Sequence, residues 1–440
     1  MKINYNLFRL LIVGVLLFSG STLLVGQIDN LTNMSAEWIR LSNRNAAVDA
    51  VDIVVYNPAG LTKLTDGFHF NISNQTLIRK PKHSFDLGMG KETYTQDGID
   101  PFIPNFYAAY KKDKWALFGG IYIPAGGAVV DYPKGSINTK LLGYSLIPQF
   151  GGLYDHFKND YLKATSLYLT FTAGGAYAIS DFISIAGGLR YIHVKNTTKL
   201  GLTVADSTGI IPGTAFDLNA KMTGNGLGGI LGIDIFPLEG LNIGIRYETK
   251  VKLELEADII KDSFEGMLIS QGDKSRRDLP AMLGVGVSYD ITSCLRAEVD
   301  FNYFFQKQAD WGITSAGNLE NAILTAKAAG DCYSLGACLA YQACPKFQVS
   351  AGFLYTIFDF KDMAGYFTTV GAFEVLYSDN CNLGAGFCYA LTNKVKLNVG
   401  VGTTIWKDET IKALAAYPLD LDVQTTNKSF AFAIGTNISL

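Results

Sequence analysis

The chain has 440 residues, a net charge of −3 and only 18% charged residues, against about 25% in ordinary soluble domains. The near-neutral balance excludes the basic footprint of a nucleic-acid binder. The 46 glycines, 27 Phe and 23 Tyr suit a membrane barrel with small inward residues and aromatic girdles.

In chain order, the first element reads as a secretory signal over residues 1–26. Lys2 and Arg9 give the positive region, Leu10 to Phe18 the apolar core, and cleavage after Gly26 leaves Gln27 first. The apolar run is short for a transmembrane helix, and no later run approaches one. Residues 27–64 follow without alternation. Met34, Trp38 and Leu41 recur at near-helical spacing, and Asn57-Pro58-Ala59-Gly60-Leu61 forms a turn-rich run. This is a small subdomain ahead of the strands.

From residue 65 the pattern has a period of two. Strand-like segments fall at 66–78, 104–112, 114–123, 165–179, 182–196, 215–235, 240–257, 279–291, 294–308, 329–343, 346–361, 373–391, 394–407 and 426–440. In the last, Phe430, Phe432, Ile434, Ile438 and Leu440 share one parity, while Ser429, Ala431, Ala433 and Gly435 share the other. A strand of that kind has one greasy face and one small, polar face. Lipid outside and a polar lumen inside require this, whereas a soluble sandwich needs large inner residues. The connections alternate between tight turns, such as Ser180-Asp181 and Thr292-Ser293, and long loops, such as 124–164 and 258–278. The reading is therefore an all-β, antiparallel transmembrane barrel of about fourteen strands over 65–440. Two loop stripes, Ile260-Phe264-Met267-Leu268 and Leu319-Ala322-Ile323-Ala326, have helical spacing and are expected to cap the mouth.

Several patterns invite chemistry. Gly224-Asn225-Gly226-Leu227-Gly228-Gly229 has the GxGxxG form, but the strand-like run after it argues against a nucleotide site. The glycines are expected to line the lumen where the N-terminal subdomain or a solute comes close. The four histidines sit beside no GxSxG elbow, and no enzymatic activity is expected. The six cysteines form no CxxC pair, so neither a metal nor a cofactor is expected. Cys294 and Cys344 fall on neighbouring strands at the short-turn rim, where they either form a disulfide or remain free thiols. Arg190, Arg246 and Lys396 lie on the inward parity. They can receive a ligand carboxylate or pair across the lumen with Glu248, Glu298 or Asp300.

Tyr56-Asn57-Pro58-Ala59-Gly60-Leu61, just before the first strand, resembles the Asn-Pro-Ala hatch motif of the FadL/TodX family of outer-membrane transporters of long-chain fatty acids and hydrocarbons. Trp115 to Gly127 is similar to that family's third strand, with Ala125 in place of its Phe. Asp278-Leu279-Pro280 and Ser378-Asp379-Asn380 resemble further family segments. The resemblance implies a bacterial outer-membrane barrel in which residues 27–64 fold as a hatch plugging the lumen. It also implies passive, hatch-gated movement of hydrophobic small molecules, foremost long-chain fatty acids. The cargo would displace the hatch around Asn57, Pro58 and Ala59 and leave laterally near Pro124, Gly126 and Gly127. The expected partners are that cargo, membrane lipid and lipopolysaccharide, and the assembly machinery engaged by the C-terminal strand. The barrel is expected to be monomeric. A surface adhesin or structural barrel, and a general porin with a water-filled lumen, are the alternatives.

Overall fold

The computed structural model describes residues 34–88, 90–310, 330–359, 378–413 and 421–440. The proposed signal over 1–26 and the stripe from Leu319 to Ala326 lie outside them.

Fourteen antiparallel staves close into a barrel, as the count of alternating segments predicts. They are β1 Gly67–Arg79, β2 Ile99–Lys112, β3 Trp115–Tyr122 continued by Gly126–Tyr132, β4 His156–Ala178, β5 Ile183–Ala205, β6 Thr214–Leu238, and β7 Leu241–Glu248 continued by Glu254–Asp262. Then come β8 Met282–Thr292 with its short forerunner Lys274–Arg276, β9 Leu295–Phe304, β10 Cys332–Cys344, β11 Phe347–Phe358, β12 Asn380–Ala390, β13 Val395–Trp406 and β14 Lys428–Ser439. The last stave closes the cylinder between β13 and β1, with His69 opposite Ser439 and Arg79 opposite Ser429. Phe68 and Leu440 exchange backbone hydrogen bonds, so the chain terminus is locked into the ladder and the sheet has no free edge there.

The predicted parity holds. Phe430, Phe432 and Ile434 face outward while Ala431 and Ala433 are buried. Leu189 and Leu227 are 72% and 70% exposed, an arrangement stable only where hydrocarbon replaces water. At the short-turn end Phe68, Tyr110 and Trp115 form part of an aromatic girdle, with ring centroids 4.6 and 5.6 Å apart. That end is the periplasmic one in barrels of this class. Cys294 and Cys344 sit there as exposed free thiols.

Staves β4 to β6 run further than the alternation suggests. On β5 the odd residues are apolar up to Tyr191, then become His193, Lys195, Thr197 and Lys199, while Ile192, Val194 and Leu200 point inward and are buried. The wall continues above the hydrocarbon belt, with a polar environment now outside and a packed core within, so the apolar face changes sides. Over that end lies a second, four-stranded sheet. It is made by Lys82–Asp86, Lys91–Thr95, Glu409–Ala413 and Leu421–Thr426. Helix α1, Ile137–Leu146, packs beside it. The expected helical stripe from Ile260 to Leu268 is not a helix. The chain stays in β7 to Asp262 and then turns, burying Phe264 and Leu268 and leaving Ile260 exposed.

His83, in the outer sheet, is buried against Phe85, Tyr94 and Tyr132. Its Nε2 accepts a hydrogen bond from the Ile137 amide at 3.1 Å. Burial among apolar rings pushes its pKa down to about 3. The folded cap therefore holds the neutral ring, whereas the unfolded cap takes up a proton near pH 6.5. Stability is fully present above that pH and is lost as pH falls from 6.5 towards 3. At pH 5 the loss is roughly 2 kcal/mol, read as faster amide exchange in α1 at pH 5 than at pH 7 after correction for intrinsic rates. A His83→Asn variant should lose most of that pH dependence.

Candidate functional site

The lumen is filled from below by Met34–Leu64, buried almost throughout. Ser35 caps the short helix Ala36–Leu41 by accepting from the Trp38 amide at 3.0 Å. One acidic face of the wall holds the next turn. Asp300 Oδ2 on β9 accepts the Arg44 and Asn45 amides at 2.7 and 2.9 Å, and Glu298 Oε1 accepts the Ala46 amide at 2.8 Å. Glu37 Oε1 accepts from Asn71, Asn398 and Asn437 on β1, β13 and β14 at 2.9, 2.8 and 2.6 Å. These buried bonds fix the plug to opposite sides of the cylinder.

The Asn57-Pro58-Ala59 turn begins a short 3-10 helix, Pro58–Lys63. Asn57 Oδ1 caps it at the Ala59 amide (3.4 Å), while Asn57 Nδ2 donates to the Ile233 carbonyl of β6 at 3.0 Å. Pro58 supplies a first-turn residue with no amide to satisfy. The turn touches the wall where the wall has no side chain. A Cβ on Gly232 would stand 2.5 Å from Asn57 Oδ1, and one on Gly244 would stand 2.0 Å from the Asn45 carbonyl oxygen. Arg246 Nη1 donates to the Val55 carbonyl, and Thr62 meets Ser184 at 2.7 Å.

Above the plug, Arg190 on β5 and Arg246 on β7 share Glu248, the second at 3.5 Å. Both guanidinium groups are buried. Their partner Glu248 lies on the same stave as Arg246 and two staves from Arg190, so the pairing runs along the wall and not across the lumen. Two cations on one carboxylate leave one positive charge over, and the Nε of each arginine has no acceptor among the described residues. Lys396 lies apart from them at the periplasmic mouth. There it lines a cavity of about 290 Å³ with Lys63, Lys394, His69 and Asp49. Higher up, the lumen is apolar, with Tyr168, Ile192, Val194, Met222, Val251 and Leu253 buried in one cluster.

The third stave is broken beside this charged group. β3 pairs with β2 only from Lys112–Trp115 to Phe106–Ile121. After Tyr122, whose side chain lies alongside Arg190, the residues Ile123, Pro124 and Ala125 are buried in succession instead of alternating. The chain rejoins β4 at Gly126, opposite Leu167, having spent one residue more than β4 does. Gly126 has φ +72°, and a Cβ there would stand 2.5 Å from the Ser166 carbonyl oxygen, so glycine is required. Gly127 continues the stave upward. On the facing edge, β2 carries Pro101 and Pro104, and among the described residues no β2–β3 ladder resumes above Phe106–Ile121. Proline offers no ladder donor, and the two edges meet again only above the inward turn, where the Val129 amide donates to Asp100 at 2.9 Å and the Asp97 amide to the Asp131 carbonyl at 2.8 Å.

One element escapes sequence reasoning. β7 leaves the wall at Thr249–Leu253, and Val251, Leu253 and Leu255 turn fully inward. Gly226 and Gly228 do line the lumen, and what approaches them closely is Val251 of β7 itself. The signal was present. Tyr247 faces outward and Val251 inward although both are odd, which one continuous strand cannot do.

A closed, plugged, lipid-facing cylinder of fourteen staves defines an outer-membrane β-barrel with an obstructed bore. Solved structures of that class are similar over nearly the whole chain. A FadL homologue of Pseudomonas aeruginosa matches at 12% identity and a TM-score of 0.65, covering 92% of this chain and 98% of that one. The toluene transporter TodX of Pseudomonas putida matches at 11% and 0.64, covering 94% and 100%. The toluene transporter TbuX of Ralstonia pickettii matches at 14% and 0.57, covering 92% and 98%. No protein-family profile and no curated protein sequence matches. At these identities the likeness is one of fold: the chain has the fold of the FadL/TodX channels.

Proposed function

We propose that this barrel carries hydrophobic compounds passively across the outer membrane, with long-chain fatty acids as the favoured cargo. The supporting observation is the juxtaposition of the broken β2–β3 ladder with Arg190 and Arg246, under an apolar upper lumen. An acyl chain fits the apolar part, and its carboxylate fits the surplus guanidinium charge. The cargo enters from the outer loops, reaches the level of Tyr122, and leaves sideways through the wall near Pro124, Gly126 and Gly127. Lateral exit spares an apolar solute the crossing of water. The plug, with its Asn57-Pro58-Ala59 turn, closes the straight path to ions and polar solutes. TodX and TbuX are toluene transporters, which adds uncharged aromatics to the cargo class. The arginine pair favours an acid over them.

Deletion of Ala125 together with Gly127 removes both extra residues of β3 and restores one-to-one register with β4. Uptake of labelled oleate by cells carrying that variant is expected to fall to background, with the protein present at normal level. Unchanged uptake would mean that the cargo does not use this path.

A further inference from the structure

On the outside of β4, β5 and β6, the register brings four lysines together. Lys163 stands opposite Lys199, Thr197 opposite Lys221, and Lys195 opposite Thr223. Their chain neighbours Leu162, Ala164, Val194, Asn196, Ala220 and Met222 are buried inward, so the lysines point away from the lumen. Lys163 is held by Asp131 at 2.6 Å. Lys195, Lys199 and Lys221 form no ion pair among the described residues, although Asp258 of β7 is the register partner of Lys221. Glu254, Glu256 and Asp258 border the patch on β7 and limit it to β5 and β6.

The height of the patch identifies its partner. The outward apolar run on β5 begins at Ile183 and ends at Tyr191, about 20 Å along the normal for a strand tilted near 40°. Tyr191 and His193 then both hydrogen-bond to Asn225 of β6, at 2.7 and 2.8 Å, marking the interface. Lys195 and Lys199 follow at about 10 and 20 Å above Tyr191 on the same geometry. Unpaired cations on the lipid-facing side, directly above the apolar belt, meet the headgroups of the outer leaflet rather than cargo. We infer that Lys195, Lys199 and Lys221 form a binding site for the phosphate groups of a phosphorylated outer-leaflet glycolipid whose acyl chains lie along Leu189 and Leu227. The inference rests on the membrane-embedded barrel and is independent of the cargo.

The test is binding of bisphosphorylated lipid A to the full-length protein in neutral detergent, read by native mass spectrometry against the same lipid stripped of phosphate. Each Lys→Gln change should weaken lipid A binding about fivefold, and the triple variant K195Q/K199Q/K221Q on the order of 100-fold. Binding of the dephosphorylated lipid should be unchanged. Heat-modifiable electrophoretic mobility checks that each variant is folded, and oleate uptake checks the cargo path separately. Equal lipid A binding by folded wild type and folded triple variant would overturn the inference. So would equal binding of the two lipids to the wild type.

Discussion

Gly244→Val is expected to unseat the plug and leave the barrel standing. Residue 244 faces inward in the middle of β7, paired on both sides with Asp234 and Gly286. Valine favours strands, so the ladder tolerates it. The plug does not, because the first added carbon would overlap the Asn45 carbonyl oxygen at 2.0 Å and crowd Asn57 Nδ2 at 2.7 Å. Both contacts are with groups held rigidly, Asn45 by Asp300 and Asn57 by Ile233. The segment 43–59 must therefore lift away, breaking the Asp300 and Glu298 contacts with it. A barrel of fourteen staves is too wide for its own side chains to fill, so a lifted plug opens a water path. In planar bilayers the variant should show steady ion conductance at least tenfold above the wild type, with normal heat-modifiable mobility. Wild-type conductance in a folded Gly244→Val barrel would show that the plug does not seal against this wall.

Glu248→Gln carries the second large effect. The side chain is the only carboxylate within 4 Å of both Arg190 and Arg246 among the described residues. Removing its charge leaves two buried guanidinium groups uncompensated, which costs about 3–5 kcal/mol and should lower the urea midpoint of unfolding accordingly. If the surplus charge is a seat for an acid, a long-chain fatty acid then supplies the missing anion. At 100 times its dissociation constant it should restore about 2.7 kcal/mol. Toluene at the same molar concentration has no charge with which to replace the lost carboxylate, so it binds the variant more weakly and should restore almost none. Equal rescue by both ligands would place the acid's headgroup elsewhere.

Much of this architecture was legible in the sequence because hydrocarbon outside and small residues inside leave a period-two record. The closing stave from Ser429 to Leu440 shows it at full strength, and the count of fourteen followed. The record fails where the surroundings of the wall change. Above Tyr191 the outer face leaves the hydrocarbon, so Lys195 and Lys199 read as the end of a strand while β5 in fact continues to Ala205. At Thr249 the chain shifts parity, and Val251 and Leu253 looked like one more turn of the same alternation. Pro124 and Gly126 marked the place of the break in β3. That Ile123 and Ala125 turn inward there depends on contacts with distant staves, which no local pattern carries. Arg190 and Arg246 were placed inward by parity alone. Their sharing of Glu248, and the separation of Lys396 from them, are tertiary facts.

The most direct test reconstitutes the purified chain in liposomes and follows entry of oleate and of a small sugar side by side. The account predicts entry of oleate well above that in protein-free vesicles, with the sugar excluded. Free passage of the sugar, or no acceleration of oleate, would contradict a plugged conduit for apolar solutes.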